Sequence, residues 1–105
     1  MMTLQMVSEN EDYLHEIAEF LLKEELIANA MISSDTVVLQ KELDGSISHT
    51  NQFVLKGISK SLLFRTINIR LREKFGEHIP LLYSEPIILI DSERVEDIMF
   101  RLAKV

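Results

Sequence analysis

The spacing of apolar residues predicts three amphipathic helices. In each of three segments, apolar side chains recur at intervals of three and four residues, which places them on one face of a helix. The first helix is expected to end near Glu25, and Gly76 is a natural stop for the second. The three stripes are Leu14, Ile17, Ala18, Leu21 and Leu22; Leu63, Phe64, Ile67, Leu71 and Phe75; and Val95, Ile98, Met99 and Leu102.

Residues that can cap a first turn precede each helix. Ser8 and Glu11 have the spacing of a capping box, in which each side chain bonds the backbone amide near the other. Ser59 and Ser61 are expected to cap the second helix, and an Asp-Ser pair at 91–92 the third.

Four further segments are predicted as strands. They are residues 4–7, residues 30–43, a returning strand that ends at residues 52–56, and residues 79–90. Asp44-Gly45 is a good hairpin turn, because both residues tolerate positive φ angles. Pro86 has no amide hydrogen, so it belongs at a sheet edge or a bulge.

The resulting order, β-α-β-β-α-β-α, predicts the α+β class. Its first six elements form the split β-α-β unit of the ferredoxin-like fold, with an antiparallel four-stranded sheet and an extra C-terminal helix. Right-handed crossovers place both long helices on the same face of that sheet. We expect one such domain over residues 1–105.

The other face of the sheet is expected to be covered by a second copy of the chain. Residues 37–39, 81–83 and 87–90 are apolar at successive positions, whereas a strand with one wet face should alternate. Residues 30–43 would span about 46 Å if extended, against a radius of gyration of about 13 Å for this size. We therefore expect a bend or bulge near Ser34 and an arm over residues 37–43 that reaches a neighbouring subunit.

Composition excludes several classes of protein and of site. The 105 residues include no cysteine, which removes disulfides and thiolate metal sites and fits a cytoplasmic location. No apolar run is long enough to span a bilayer, and the N-terminal residues do not resemble a secretory signal. A net charge of −6 disfavours nucleic-acid binding. The basic segment 56–74 is read either as a solvated helix face or as a patch for an anionic partner.

No constellation typical of catalysis or metal binding is present. His15, His49 and His78 lack the spacing of a zinc pair, and the chain has no P-loop and no G-x-S-x-G elbow. We therefore expect no enzyme, no cofactor and no metal site within one subunit. The aromatic pair Tyr13 and Phe20 belongs either to an interface or to a broad core face.

Several short motifs together resemble those of the CutA family of divalent-cation tolerance proteins. They are Glu-Glu-Leu-Ile-Ala at 24–28, Gly45 with Ile47 in the hairpin, Leu55-Lys56 at a strand end, and the two prolines of Ile79-Pro80 and Pro86-Ile87. The resemblance implies a ferredoxin-like protomer in a tight homotrimer, with strands pairing across subunits and a shape like that of PII signalling proteins.

The chain also departs from that family at its signature. Leu43, Asp44 and Ser46 replace the family's hairpin tryptophan, glutamate and lysine. In the segment 75–81, the positions that hold a histidine, a tyrosine and two glutamates in the family motif carry other residues. Only Lys56 carries over as a cleft residue. Glu77 and His78 are the other candidates for a cleft between subunits.

The resemblance implies a non-enzymatic trimer with a structural or regulatory role, linked to divalent-cation tolerance. The alternative is a PII-like sensor that binds a small anionic molecule at a subunit cleft. A divalent cation is a second possible ligand of that cleft, and neither nucleic acid nor membrane is an expected partner.

Overall fold

The computed structural model describes residues 1–104, and its elements follow the predicted order. A short 3₁₀ turn over Ser61–Leu63 precedes the second helix. The strands are β1 (Met2–Ser8), β2 (Met31–Lys41), β3 (Ile47–Ser59) and β4 (Leu82–Pro86), and the helices are α1 (Glu11–Lys23), α2 (Phe64–Phe75) and α3 (Val95–Phe100).

The four strands form one antiparallel sheet in the order β2-β3-β1-β4. This order confirms the predicted ferredoxin-like arrangement of the α+β class. Pro86 ends β4, the strand at one edge of the sheet, where a missing amide hydrogen leaves no neighbour unpaired.

The core lies between one face of the sheet and the two long helices. Met2, Leu4 and Met6 alternate along β1 towards this core. The predicted apolar stripes of α1 and α2 pack on them, except for Leu22, which is 40% exposed. Tyr13 and Phe20 both contact Phe75 edge-on, with ring centroids 5.7 Å apart in each pair. The two rings on α1 therefore belong to a broad core face, the second of the two interpretations given above, and not to an interface.

The predicted helix caps are wrong in three places. The side chain of Asn10, not Ser8, accepts from the Tyr13 amide at the start of α1, while Ser8 accepts from the Asn10 amide. Ser59 is the last residue of β3, where its buried hydroxyl donates to the Leu26 carbonyl. Ser61 begins the 3₁₀ turn, and no side chain caps α2. Asp91 bonds the Glu93 amide in a turn that precedes α3. A Ser or Asp in a turn has several backbone amides within reach, and local pattern does not choose among them.

The predicted irregularity in β2 is present. The pairing of β2 with β3 shifts register between Ser33 and Thr36, and Asp35 has a φ of 63°. The extra residue of such a bulge bends the strand and increases its twist. The bulge therefore separates a first half of β2, beside α1, from a second half that ends in the hairpin.

A close approach at Gly57 fixes the chain that leads into β2. Ala28 donates its amide to the Ile58 carbonyl, and the Asn29 side chain accepts from the Ile58 amide. A methyl group at position 57 would lie 2.6 Å from the Asn29 carbonyl oxygen and 3.2 Å from the Ile27 side chain. Only glycine allows the segment 27–29 to lie so close to β3.

Replacing Gly57 with alanine should therefore destabilise the protein. Forcing a methyl group against backbone in a packed region costs about 1–3 kcal/mol. Urea unfolding measures this change, with the exposed Ser61→Ala as control. A Gly57→Ala protein as stable as the wild type would show that the loop moves aside freely.

Candidate functional site

The strongest candidate site is the face of the sheet that lacks helices, termed here the open face. Alternate residues of each strand point to it, among them Gln5 of β1, Lys56 of β3 and Tyr83 of β4. A groove of about 600 Å³ runs over this face. Its lining is mixed: Val7, Val38, Val54 and Leu81 are apolar, and Gln5, Ser33, Thr36, Gln40, Gln52, Lys56 and Tyr83 are polar.

A hydrogen-bonded chain of side chains crosses the open face from β4 to β1. The Tyr83 hydroxyl donates to the Gln5 side-chain oxygen at 3.0 Å, and the Gln5 amide nitrogen donates to the Glu85 carboxylate. Gln5 is only 6% exposed, so its amide is engaged at both ends at a nearly buried position. These bonds hold Tyr83 and Glu85 in fixed places on the face.

The second half of β2 and the first half of β3 form a two-stranded ribbon, defined here as residues 36–41 and 47–52. Val37, Leu39 and Ile47 point to the side on which the helices lie, yet they are 57%, 60% and 62% exposed. The helices therefore do not extend over the ribbon. It presents apolar side chains to solvent on a side that should be covered in a folded sheet.

The hairpin at the end of the ribbon is the predicted Asp44-Gly45 turn. The Glu42 amide donates to the Ser46 carbonyl, the Gly45 amide donates to the Glu42 carbonyl, and Gly45 has a φ of 89°. The Asp44 carboxylate accepts from the Ser46 hydroxyl at 2.6 Å and the Ser46 amide at 2.8 Å. These bonds lower the pKa of Asp44, because they stabilise its charged form.

The structure places the sequence-predicted cleft residues in two regions. Lys56 lies on the open face and lines its groove. Glu77 and His78 are exposed in the loop after α2, and the Glu77 carboxylate lies 3.5 Å from the Arg72 guanidinium. Within one subunit, the groove over Lys56 includes neither of them.

The other histidines also lie on the surface. The His15 ring is 3.6 Å from the Glu11 carboxylate on the exposed side of α1, and His49 stands opposite Leu39 in the ribbon. Within residues 1–104, His, Asp and Glu side chains form no group of three that could hold a metal ion. Over the same residues, no helix is both long and apolar enough to cross a bilayer.

Much of the basic segment is engaged within the chain. Arg70 pairs with Glu24 at 2.7 Å, Arg72 with Glu77 at 3.5 Å, and the Lys60 ammonium donates to the Ala103 carbonyl at 2.7 Å. Half of its six basic residues thus have partners inside the subunit. This arrangement favours the interpretation of a solvated helix face over a patch for an anionic partner.

Comparison with solved structures identifies the fold. CutA1 of Thermus thermophilus, a divalent cation tolerance protein, matches with a TM-score of 0.85 over 98% of this chain and all of that one, at 16% identity. CutA1 of Pyrococcus horikoshii matches at 0.84 over 99% of this chain and all of its own, at 14% identity. CutA1 of Oryza sativa matches at 0.86 over 99% and 94%, at 12% identity.

This chain has the CutA1 fold. The resemblance to the CutA family that the sequence motifs indicated is confirmed at this level, and the low identity marks a divergent chain. No family model and no curated protein matches the sequence. The match spans almost the whole chain, so it includes the strands that form the open face and the ribbon.

Sequence reasoning found Lys56 but missed Gln5, Tyr83 and Glu85. Gln5 could have been found from the alternation of side chains along β1. Leu4 and Met6 are apolar, so the glutamine between them must point to the other face. The partners on β4 could not be found, because its register against β1 was unknown. That register pairs Gln5 with Tyr83 and Thr3 with Glu85, and so decides which side chains of β4 share the face of Gln5.

We expect transition metals to bind weakly to this protein. The chain has no cysteine, and its three histidines lie on separate surfaces. Isothermal calorimetry with Cu²⁺ and Zn²⁺ should show no stoichiometric site tighter than roughly micromolar, about −8 kcal/mol. A tighter site that His78→Ala removes would contradict this expectation and would point to a site built between subunits.

Proposed function

We propose that this protein is a non-enzymatic homo-oligomer, a trimer by its likeness to the CutA family, with a structural or regulatory role linked to divalent-cation tolerance. The observation that carries the proposal is the exposure of Val37, Leu39 and Ile47 on the ribbon, beyond the reach of the helices. Exposed apolar side chains in a regular sheet favour association with another surface.

The open face supports assembly through a second surface. It lies opposite the helices and is continuous with the ribbon, because β2 and β3 contribute to both. A second copy seated there would remove Val38 and Leu81 from water. In a closed ring every copy uses the same two patches, so no apolar surface is left over.

The link to divalent cations comes from the structural relatives. The Thermus protein is described as a divalent cation tolerance protein, and the proteins from Pyrococcus and Oryza carry the CutA1 name. The non-enzymatic part is supported by the sequence, which has no cysteine, no P-loop and no nucleophile elbow. We also propose a cytoplasmic location, which the cysteine-free composition favours; the Archaeoglobus fulgidus relative is described as periplasmic.

A PII-like anion sensor is the second candidate, and the placement of Lys56 favours it. Its side chain lines the groove, and within residues 1–104 it forms no ion pair. In this version Glu77 and His78 of the partner subunit complete a cleft with Lys56. A ligand that binds only the folded protein raises the melting temperature, so thermal shifts with nucleotides, phosphate and divalent cations separate the two functions.

The assembly is tested by light scattering on the purified protein. The protomer has a mass of 12.2 kDa, and a trimer should give about 37 kDa at micromolar concentration. A monomer would contradict the proposed function. A dimer would contradict the CutA-like assembly but leave the covered open face in place.

Replacing Leu39 with aspartate should dissociate the oligomer. An unpaired charge placed in an apolar contact costs several kcal/mol. The matched control is His15→Asp, which adds the same carboxylate on the exposed side of α1 and should leave the mass unchanged. If Leu39→Asp remains fully assembled with an unchanged melting temperature, the ribbon is not an interface.

A further inference from the structure

The charges of the open face form a simple pattern. Among the strand residues that the register places on it, which leaves out the bulge residues Ser34 and Asp35, one is basic, Lys56 of β3, and one is acidic, Glu85 of β4. β1 runs between these strands, with Gln5 paired to both Lys56 and Tyr83. Two strand spacings of about 4.8 Å therefore separate the basic side from the acidic side of the face.

Neither charge is neutralised by an ion pair within residues 1–104. Lys56 forms no salt bridge there, and the Glu85 carboxylate accepts one hydrogen bond from the neutral Gln5 amide. In a single subunit both groups remain hydrated, so the lack of a partner costs little. A second copy seated on the open face removes that water, and an unpaired buried charge is then strongly unfavourable.

Symmetry decides which charges meet. In a closed ring each subunit faces one neighbour with one side of its interface and the other neighbour with the opposite side. A ring that seats the acidic side of one open face against the basic side of the next brings opposite charges together at every junction. The Gln5 and Tyr83 bonds fix the acidic side in advance, because they hold β4 side chains to β1.

We infer that Lys56 of each subunit pairs with Glu85 of its neighbour across the open face, so that each junction contains one ion pair. This inference rests on the proposed function, because it requires the oligomer. It assigns to Lys56 a role in assembly. It also fixes the order of contacts around the ring, because an arrangement that brings two Lys56 side chains together is penalised by like-charge repulsion.

Charge reversal tests the pair in the full-length protein. Lys56→Glu and Glu85→Lys should each raise the dissociation constant of the oligomer roughly 30-fold or more, as measured by sedimentation equilibrium. The double variant, Lys56→Glu with Glu85→Lys, restores one opposite-charge pair at every junction. It should recover most of the lost affinity, whereas two independent defects would add.

Two further variants show whether recovery depends on position. Lys56→Glu combined with Glu19→Lys restores the net charge of the protein, but it places the new lysine on the exposed surface of α1. This variant should not recover assembly. Lys56→Arg keeps the charge and should assemble like the wild type. Circular dichroism on each variant establishes that the subunit is folded, so that a loss of mass reports on the interface.

The outcomes separate this inference from the proposed function. A wild-type monomer would contradict both. A wild-type oligomer that Lys56→Glu leaves intact, or a double variant no better than the single ones, would overturn the ion pair alone. Recovery by Glu77→Lys in place of Glu85→Lys would also overturn it, and would favour the cleft between Lys56 and the loop after α2.

Discussion

Two long helices cover only one face of a four-stranded sheet, and the other properties of this chain depend on that asymmetry. The core forms between α1, α2 and the alternate residues of β1 and β3, so neither long helix covers the opposite face. The short helix α3 lies near only one end of that face, at Ile58. The groove on the second face contains valines and a leucine. The apolar area that they expose in a single subunit is unfavourable in water. The ribbon beyond the bulge adds to that cost, because Val37, Leu39 and Ile47 remain exposed there.

Polar groups of the open face limit how a second surface can pack on it. Gln5 is nearly buried and bonded at both ends of its amide, and it places Tyr83 and Glu85 on one side of β1 with Lys56 on the other. An apolar face alone accepts many partners in many orientations. Fixed charges penalise most of these orientations, because a wrong one buries a charge without a partner.

Much of the fold could be predicted from the sequence, because periodicity and turn chemistry are local signals. The apolar stripes of α1 and α2, the Asp44-Gly45 hairpin and the irregularity near Ser34 follow from residue spacing and from residues that favour turns. The helix caps at Ser8, Ser59 and Asp91 were wrong, because the hydroxyl or carboxylate found another backbone partner. The spacing of Tyr13 and Phe20 along α1 could not settle whether they face the core, because that depends on their contact with Phe75 in helix α2.

The candidate site was less predictable than the fold for the same reason. Lys56 came from a motif that resembles the CutA family, whereas Gln5, Tyr83 and Glu85 are brought together only by the registers of β1 with β3 and β4. Register is a tertiary property that one strand does not encode. The placement of Glu77 and His78 in the loop after α2 likewise depends on where that helix ends.

If copies of this chain cover the open face, a cysteine introduced there is shielded from reagents in solution, and the chain has no native cysteine to interfere. Gln40→Cys places a thiol at an exposed position of the open face, and Glu19→Cys places one on the exposed side of α1. We expect maleimide to modify the thiol at position 40 slowly at high protein concentration and faster on dilution, while position 19 reacts at one fast rate throughout. Equal and concentration-independent rates at the two positions would show that no second copy covers the open face.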